Sequence, residues 1–254
     1  MVEYEVRGHV AVLTINRPEA RNAVNGDVAS GMEAAIDRLE ADDDVWVGVV
    51  TGAGPVFSAG ADLKAIATGQ AAALNTQKGG FAGIARRERT KPLIAAVDGA
   101  ALAGGCEIAL ACDLIVASGN ARFGLPEVKR SLVAAAGGLF RLPRALPSRI
   151  AMELALTGDP IDAERAYALG LVNRLVEPGQ AVDEAVALAE AICVNAPLAV
   201  RESRKIVLAA TGGDREDDLW RVTNEAFAKV ASSEDFTEGP KAFIEKRAPQ
   251  WKGR

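Results

Sequence analysis

The sequence predicts an α/β fold wound as a stacked spiral, with a small helical module at its C-terminal end. Three observations carry this prediction. Residues 45–51 and 92–97 are nearly continuous apolar strands, the pattern of strands covered on both faces, and each enters a glycine turn followed by a helix. The unit recurs: Ala59-Gly60-Ala61 opens one helix and Ala103-Gly104-Gly105 opens another 44 residues later. Such a period suits one strand–turn–helix unit per coil rather than a doubly wound sheet. Finally, 49 alanines and 25 glycines make up over a quarter of 254 residues, while aromatics are only 5%, so backbone layers can approach closely.

Taken in order, residues 4–7 and 10–15 are β-rich and flank Gly8-His9, a hairpin signal. Asn16-Arg17-Pro18-Glu19 breaks the pattern. Residues 27–40 are helical, because Val28, Met32, Ala35, Ile36 and Leu39 recur at three and four residues. Asp42-Asp43-Asp44 reads as a solvated loop rather than a metal cluster. After the strand at 45–51, a helix starts near Asp62. Residues 66–90 are polar and glycine-punctuated, so a mobile loop or loose helix flanking a site is expected. The strand at 92–97 is followed by a helix over 106–111 and a strand over 114–117. From Ile150 the chain is mostly helical. Asn195-Ala-Pro197 is a break, and 198–210, 214–231 and 240–246 read as three helices. The division is therefore a spiral core over 1–194 and a helical module over 195–254.

Composition excludes several functions. Net charge is −5, against a general nucleic-acid binder. A single histidine, His9, lies in a strand pattern, which argues against a Ser–His–Asp triad and excludes a polyhistidine zinc site. Cys106, Cys112 and Cys193 show no CxxC spacing, and Met1-Val-Glu-Tyr-Glu-Val-Arg has no apolar core of a signal peptide. Reduced thiols and a cytoplasmic location are expected. No apolar run approaches a membrane span.

The candidate chemistry sits at the two glycine turns. Helix N-termini present free N–H groups and partial positive charge, and Gly104 lets a ligand atom reach the backbone. Two such N–H groups converging on one oxygen would form an oxyanion hole. A phosphate cradle competes but lacks a Gly-Lys-Ser/Thr step and has Phe57 where a dinucleotide loop wants glycine; tight turn packing is the remaining reading. Glu107 opens an otherwise apolar helix. A carboxylate there is desolvated and suited to proton transfer, or else serves its own helix dipole. Glu127, in Phe123-Gly-Leu-Pro-Glu127, lies 20 residues on, and the intervening strand and turn allow the two to meet. Two carboxylates on one cavity can hold a water and divide acid and base roles.

These residues resemble the crotonase (enoyl-CoA hydratase) superfamily. The resemblance rests on Phe57-Ser-Ala-Gly-Ala-Asp-Leu63, Ile94-Ala-Ala-Val-Asp-Gly-Ala-Ala-Leu-Ala-Gly-Gly-Cys-Glu107 and Phe123-Gly-Leu-Pro-Glu127. It extends to Asn16-Arg-Pro-Glu-Ala-Arg-Asn22-Ala, Leu156-Thr-Gly158, Ala168-Leu-Gly-Leu-Val-Asn173 and Ala242-Phe-Ile-Glu-Lys-Arg247, so it covers nearly the whole chain. It implies a spiral of ββα turns with a C-terminal helical oligomerisation module, assembled as a homotrimer or dimer of trimers. By position it implies oxyanion-hole donors at Ala61 and Gly104 and catalytic glutamates at Glu107 and Glu127. The coenzyme A path would run along Arg21-Asn22-Ala23 and Ala61, Asp62, Leu63 and Lys64, with Gly104 also at the substrate. Arg21, Lys64 and Lys246 are candidate phosphate partners.

The implied reaction is hydration of a trans-2-enoyl-CoA, with coenzyme A as part of the substrate and no metal or redox cofactor. Many hydratases carry a Pro-Gly-rich stretch after the second glutamate. Here residues 129–143 keep the Gly137-Gly138 pair but lack that proline, at a segment that borders the acyl group in relatives. Two further readings stay within the family: a carnitinyl-CoA-type dehydratase and an enoyl-CoA isomerase. A non-catalytic acyl-CoA-binding protein is the alternative from another class, and the retention of both glutamates opposes it.

Overall fold

A computed structural model describes residues 1–253. Its main sheet has six strands in the order β1-β2-β3-β6-β8-β11, formed by β1 (Val2–Arg7), β2 (Val10–Ile15), β3 (Val47–Gly52), β6 (Leu93–Val97), β8 (Leu114–Ser118) and β11 (Arg174–Val176). The hairpin β1–β2 is antiparallel and every later pairing is parallel, with Val12 beside Val49 and Ile94 beside Leu114. The edge strand β1 is largely exposed and carries Glu3, Glu5 and Arg7, charges that discourage further strand pairing.

A second, narrower layer makes the spiral. The chain crosses it after β2, β3, β6 and β8 in turn: at Val24, at Ser58 and Ala61, at β7 (Ala100–Leu102) and at β9 (Arg122–Gly124). The crossings pair in sequence, Val24 with Ala61, Ser58 with Ala101, and Leu102 with Gly124. A further strand, β10 (Ile161–Asp162), closes the layer against β9. Helices follow the crossings: α1 (Gly26–Ala41), α2 (Leu63–Ala67) and α3 (Gly104–Ala111). The expected repeat is therefore present as successive ββα coils.

The sheet is covered on both faces, which explains its continuous apolar strands. On one face Leu13, Ile15, Leu93 and Val97 pack in a cluster with Met32, Ile36 and Leu39 of α1 and Ile108 of α3. Asn25 caps α1 by accepting the Val28 N–H at 3.0 Å. On the other face Val10, Val12, Val49 and Val116 meet Ala181, Ala185 and Ala189 of α7 (Ala181–Cys193). The alanine stripe lets that helix lie close to the strands.

Three expectations need correction. The stretch over 66–90 is structured rather than loose. After α2 come a 3-10 turn over Ala71–Leu74 and a hairpin of β4 (Asn75–Thr76) and β5 (Gly80–Phe81). A buried turn holding Ala82, Ile84 and Ala85 follows. Glu33 of α1 accepts the N–H groups of Lys78 and Gly79, and Asp37 pairs with Arg87 and Lys78. Polar composition here reflects anchoring to α1. Helical structure also begins before Ile150, with α4 (Gly138–Ala145) and α5 (Ser148–Thr157), α4 containing Pro143. The last helix starts well before Pro240.

Past α6 (Ala163–Ala168) and α7, the chain ends in α8 (Pro197–Gly212), α9 (Glu216–Ala231) and α10 (Glu234–Glu245). Ser233 caps α10 through the Phe236 N–H, and Pro240 sits inside it at the loss of one backbone donor. These helices are tied back to the core: Arg204 of α8 reaches Asp113 at 2.9 Å, and Trp251 donates to the Val194 carbonyl. The aspartate run contributes backbone carbonyls. Those of Asp42 and Asp43 accept Lys91 and Trp46, and that of Asp44 meets the His9 ring nitrogen. Among the described residues no group of side chains is gathered to hold a metal ion.

Candidate active site

Both glutamates arise where second-layer strands end side by side. Strand β7 leads through Ala103 into α3 and Glu107, while its parallel neighbour β9 leads into a 3-10 turn, Pro126–Arg130, carrying Glu127. The Ala103 N–H donates to the Gly124 carbonyl at 2.9 Å, locking the two exits together. Pairing of Leu102 with Gly124 therefore converts a 20-residue separation into proximity.

Glu107 is 3% exposed. Its Oε1 accepts the N–H groups of Ala136 at 2.7 Å and Gly138 at 2.9 Å. Burial raises its pKa, opposed by those two donors and by the positive charge of Arg141. Its hydrogen-bond partners lie outside its own helix, in the turn that opens α4. Glu127 is half-buried, and its Oε2 is shielded from solvent without a hydrogen-bond partner. Burial, with a smaller push from the charge of Glu107, raises the Glu127 carboxyl to about 7. The two carboxylates thus differ: Glu107 is held by two donors from another segment, while Glu127 has only its own backbone N–H to offset burial and keeps one oxygen without a partner.

The glycine turns meet at the same place. Gly60 has φ +88°, and a Cβ there would lie 2.6 Å from the Gly104 nitrogen. In the bridge to Val24, the Val24 N–H bonds the Gly60 carbonyl and the Asp62 N–H bonds the Val24 carbonyl, which turns the Ala61 N–H to the other side. Gly104 begins α3, so its N–H has no acceptor within the helix. Among the described residues neither N–H donates a hydrogen bond. Ala103 holds φ +52° and ψ −128°, a strained conformation for a non-glycine residue that sets the direction of the helix start. A Cβ on Gly104 would lie 2.5 Å from the Phe81 ring, so that ring borders the turn.

The other expected contacts share one edge. The Arg21 carbonyl accepts the Ala59 N–H, the Asn22 carbonyl accepts the Ser58 hydroxyl, and Val24 pairs across Gly60 to Asp62. This brings Arg21 and Ala23 alongside Ala61, Asp62, Leu63 and Lys64. Arg21, Leu63 and Lys64 are exposed, while Ala23 is buried. The Asp62 side chain is already occupied. It caps α2 through the Lys64 and Ala65 N–H groups and pairs with Arg17 at 2.6 Å, and the backbone N–H and carbonyl of the same residue bond Val24 and Ile66, so Asp62 shapes this edge. Buried Asn22 holds the Ala53 and Val56 carbonyls and is structural. Lys246 lies exposed at the end of α10.

Sequence reasoning missed Phe81 and the donors Ala136 and Gly138. An apolar side chain within a polar stretch was the available sign of Phe81, and the Gly137-Gly138 pair that of the donor turn.

The chain matches the family described as enoyl-CoA hydratase/isomerase over residues 5–254. Among curated relatives, the enoyl-CoA hydratase EchA19 of Mycobacterium tuberculosis is 41% identical, covering 98% of this chain and 96% of the relative. A carnitinyl-CoA dehydratase of Salmonella typhi is 40% identical over 97% and 96%. Among solved structures, an enoyl-CoA hydratase from Mycobacterium tuberculosis H37Rv is 50% identical with a TM-score of 0.95, covering 100% and 99% of the two chains. A carnitinyl-CoA hydratase from Mycobacterium avium is 48% identical with a TM-score of 0.79, covering 100% and 98%. Similarity at this level over the whole length shows that the chain belongs to the enoyl-CoA hydratase/isomerase family.

Proposed function

We propose that the protein is a hydro-lyase that reversibly adds water across the C2=C3 bond of a trans-2-enoyl-CoA. The observation that carries this reading is the pair of differently held carboxylates beside two free N–H groups. The thioester carbonyl oxygen sits between the Ala61 and Gly104 N–H groups, which stabilise the negative charge that develops there. Losing one such donor typically costs about 3–4 kcal/mol of barrier. Glu107 enters as the carboxylate and takes a proton from water as its oxygen bonds to C3. Glu127, protonated near neutral pH, gives its proton to C2. The proton taken by Glu107 then passes to Glu127, directly or by exchange through solvent in which Glu107 releases one proton and Glu127 takes one up, restoring both groups. As a coupled pair, the two titrate together.

The Arg21–Ala23 and Ala61–Lys64 edge supports a coenzyme A path, with Arg21 and Lys64 as exposed cations for its phosphates. No resident metal or redox group takes part in this scheme. Exposed apolar side chains, among them Phe140, Met152, Leu156, Phe227, Phe243 and Ile244, support a homotrimer or dimer of trimers. No helix is long and apolar enough to cross a membrane. Three free cysteines suit a reducing cytoplasm. A second reading, dehydration of carnitinyl-CoA, is favoured by the similarity to proteins named for that substrate.

Incubation with crotonyl-CoA in oxygen-18 water tests the reaction class. Hydration predicts a 3-hydroxyacyl-CoA carrying the label. An isomerised, unlabelled acyl-CoA would replace this reading, and turnover of carnitinyl-CoA alone would select the second.

A further inference from the structure

The carboxylate of Glu107 is held by a turn, and that turn is itself held by one side chain. Arg141, in the first turn of α4, donates from Nη1 to the Ala136 carbonyl at 3.1 Å and from Nη2 to the Ala85 carbonyl at 2.6 Å. Its own N–H bonds the Gly137 carbonyl at 3.0 Å. Gly137 has φ +105°, and a Cβ there would lie 2.3 Å from the Arg141 Nη1. The Ala136–Gly138 turn is therefore folded round the guanidinium, with its two N–H groups directed at Glu107 Oε1. The other anchor, Ala85, donates its N–H to the Phe81 carbonyl, in the same buried turn whose Phe81 ring borders Gly104. Among the described residues Arg141 forms no ion pair within 4.0 Å.

We propose that Arg141 is a positioning residue for Glu107, a strut that fixes the Ala136–Gly138 donors against the Phe81 turn and so aims the carboxylate at the reacting water. This rests on the reading of Glu107 as the water base. The planar fork of an arginine can reach two carbonyls on different segments, and a lysine ammonium is a single point charge that cannot bridge them in the same way. The strut acts on Glu107 through geometry and charge together, since the positive charge of Arg141 opposes the burial that raises Glu107.

The test compares wild type with Arg141→Met and Arg141→Lys. The readouts are kcat and KM for crotonyl-CoA hydration across pH, the melting temperature, and the carbon-13 NMR titration of the Glu107 carboxyl, assigned by its loss in Glu107→Gln. In Arg141→Met, kcat should fall about 10²-fold with KM changed by less than about threefold, and the Glu107 midpoint should move upward. Arg141→Lys should recover part of both effects. If Arg141→Met does not fold, Arg141→Lys decides by the same two readouts. An unmoved Glu107 midpoint overturns the proposal, whether kcat is retained or is lost together with the melting transition. A wild type inactive on crotonyl-CoA would defeat the hydration reading for that substrate alone; an upward midpoint in the variants would still uphold the strut, and an unmoved one would still overturn it.

Discussion

Glu127 is the residue whose environment most sharply separates function from stability. A carboxylic acid raised to about 7 by burial holds its proton more tightly in the folded chain than in the unfolded one, where it titrates near about 4.3. Stability from this group is therefore complete below the unfolded value and declines as pH rises through about 7. Replacing the charge should remove that decline. Glu127→Gln is expected to be more stable than wild type at pH 8, by about 1–2 kcal/mol after allowance for its half-exposed setting, and equal to it at about pH 3.5, below the unfolded value. Denaturant titrations at the two pH values check this. Equal stability at pH 8 would mean that Glu127 ionises without penalty, removing the physical basis for its role as acid.

Among the elements, the glycine turns do most to shape the site, and Gly60 is the sharpest case. Its φ is positive, and a methyl group on its Cα would come within 2.6 Å of the Gly104 nitrogen, so there is no room for a side chain. Gly60→Ala should cost about 1–3 kcal/mol of stability from backbone strain and lower kcat about 10²-fold by displacing one N–H donor. Thermal melting and steady-state kinetics measure the two effects. The turns, buried strands and both glutamates were legible because each needs a particular residue type at a particular spacing. The Glu107 donors were not, because backbone N–H groups leave no mark of identity in a sequence; only Gly137-Gly138 hinted at them. The stretch over 66–90 misled because the carboxylates that anchor it, Glu33 and Asp37, lie on a distant helix. Pro240 misled because one lost hydrogen bond is a small penalty in a helix already started by the Ser233 cap.

At the scale of the molecule, the C-terminal helices are joined to the catalytic core through Asp113. This aspartate accepts Arg89 from the segment before β6, Arg204 from α8 and the Leu93 N–H from the main sheet. Burial alone would raise its pKa, but the two guanidinium groups overcome that and hold it below the usual carboxylate range. The stability it confers is present above the unfolded carboxyl range and lost as pH falls through the folded value. Asp113→Ala would strand two largely buried arginines and should cost about 3–5 kcal/mol, read as a lower denaturant midpoint at neutral pH with the gap closing in acid. An unchanged midpoint would mean that the helices dock without this link. The proposed assembly draws on the same architecture, since the apolar faces of α4, α5, α9 and α10 remain uncovered in the single chain.

The most direct test of the central claim is the rate of loss of the enoyl-thioester absorbance of crotonyl-CoA by wild type, Glu107→Gln and Glu127→Gln at the same pH. If the two carboxylates divide base and acid roles, wild type turns over rapidly and each variant loses about 10²-fold or more in kcat while remaining folded. Near-wild-type turnover in either variant would contradict the two-glutamate mechanism.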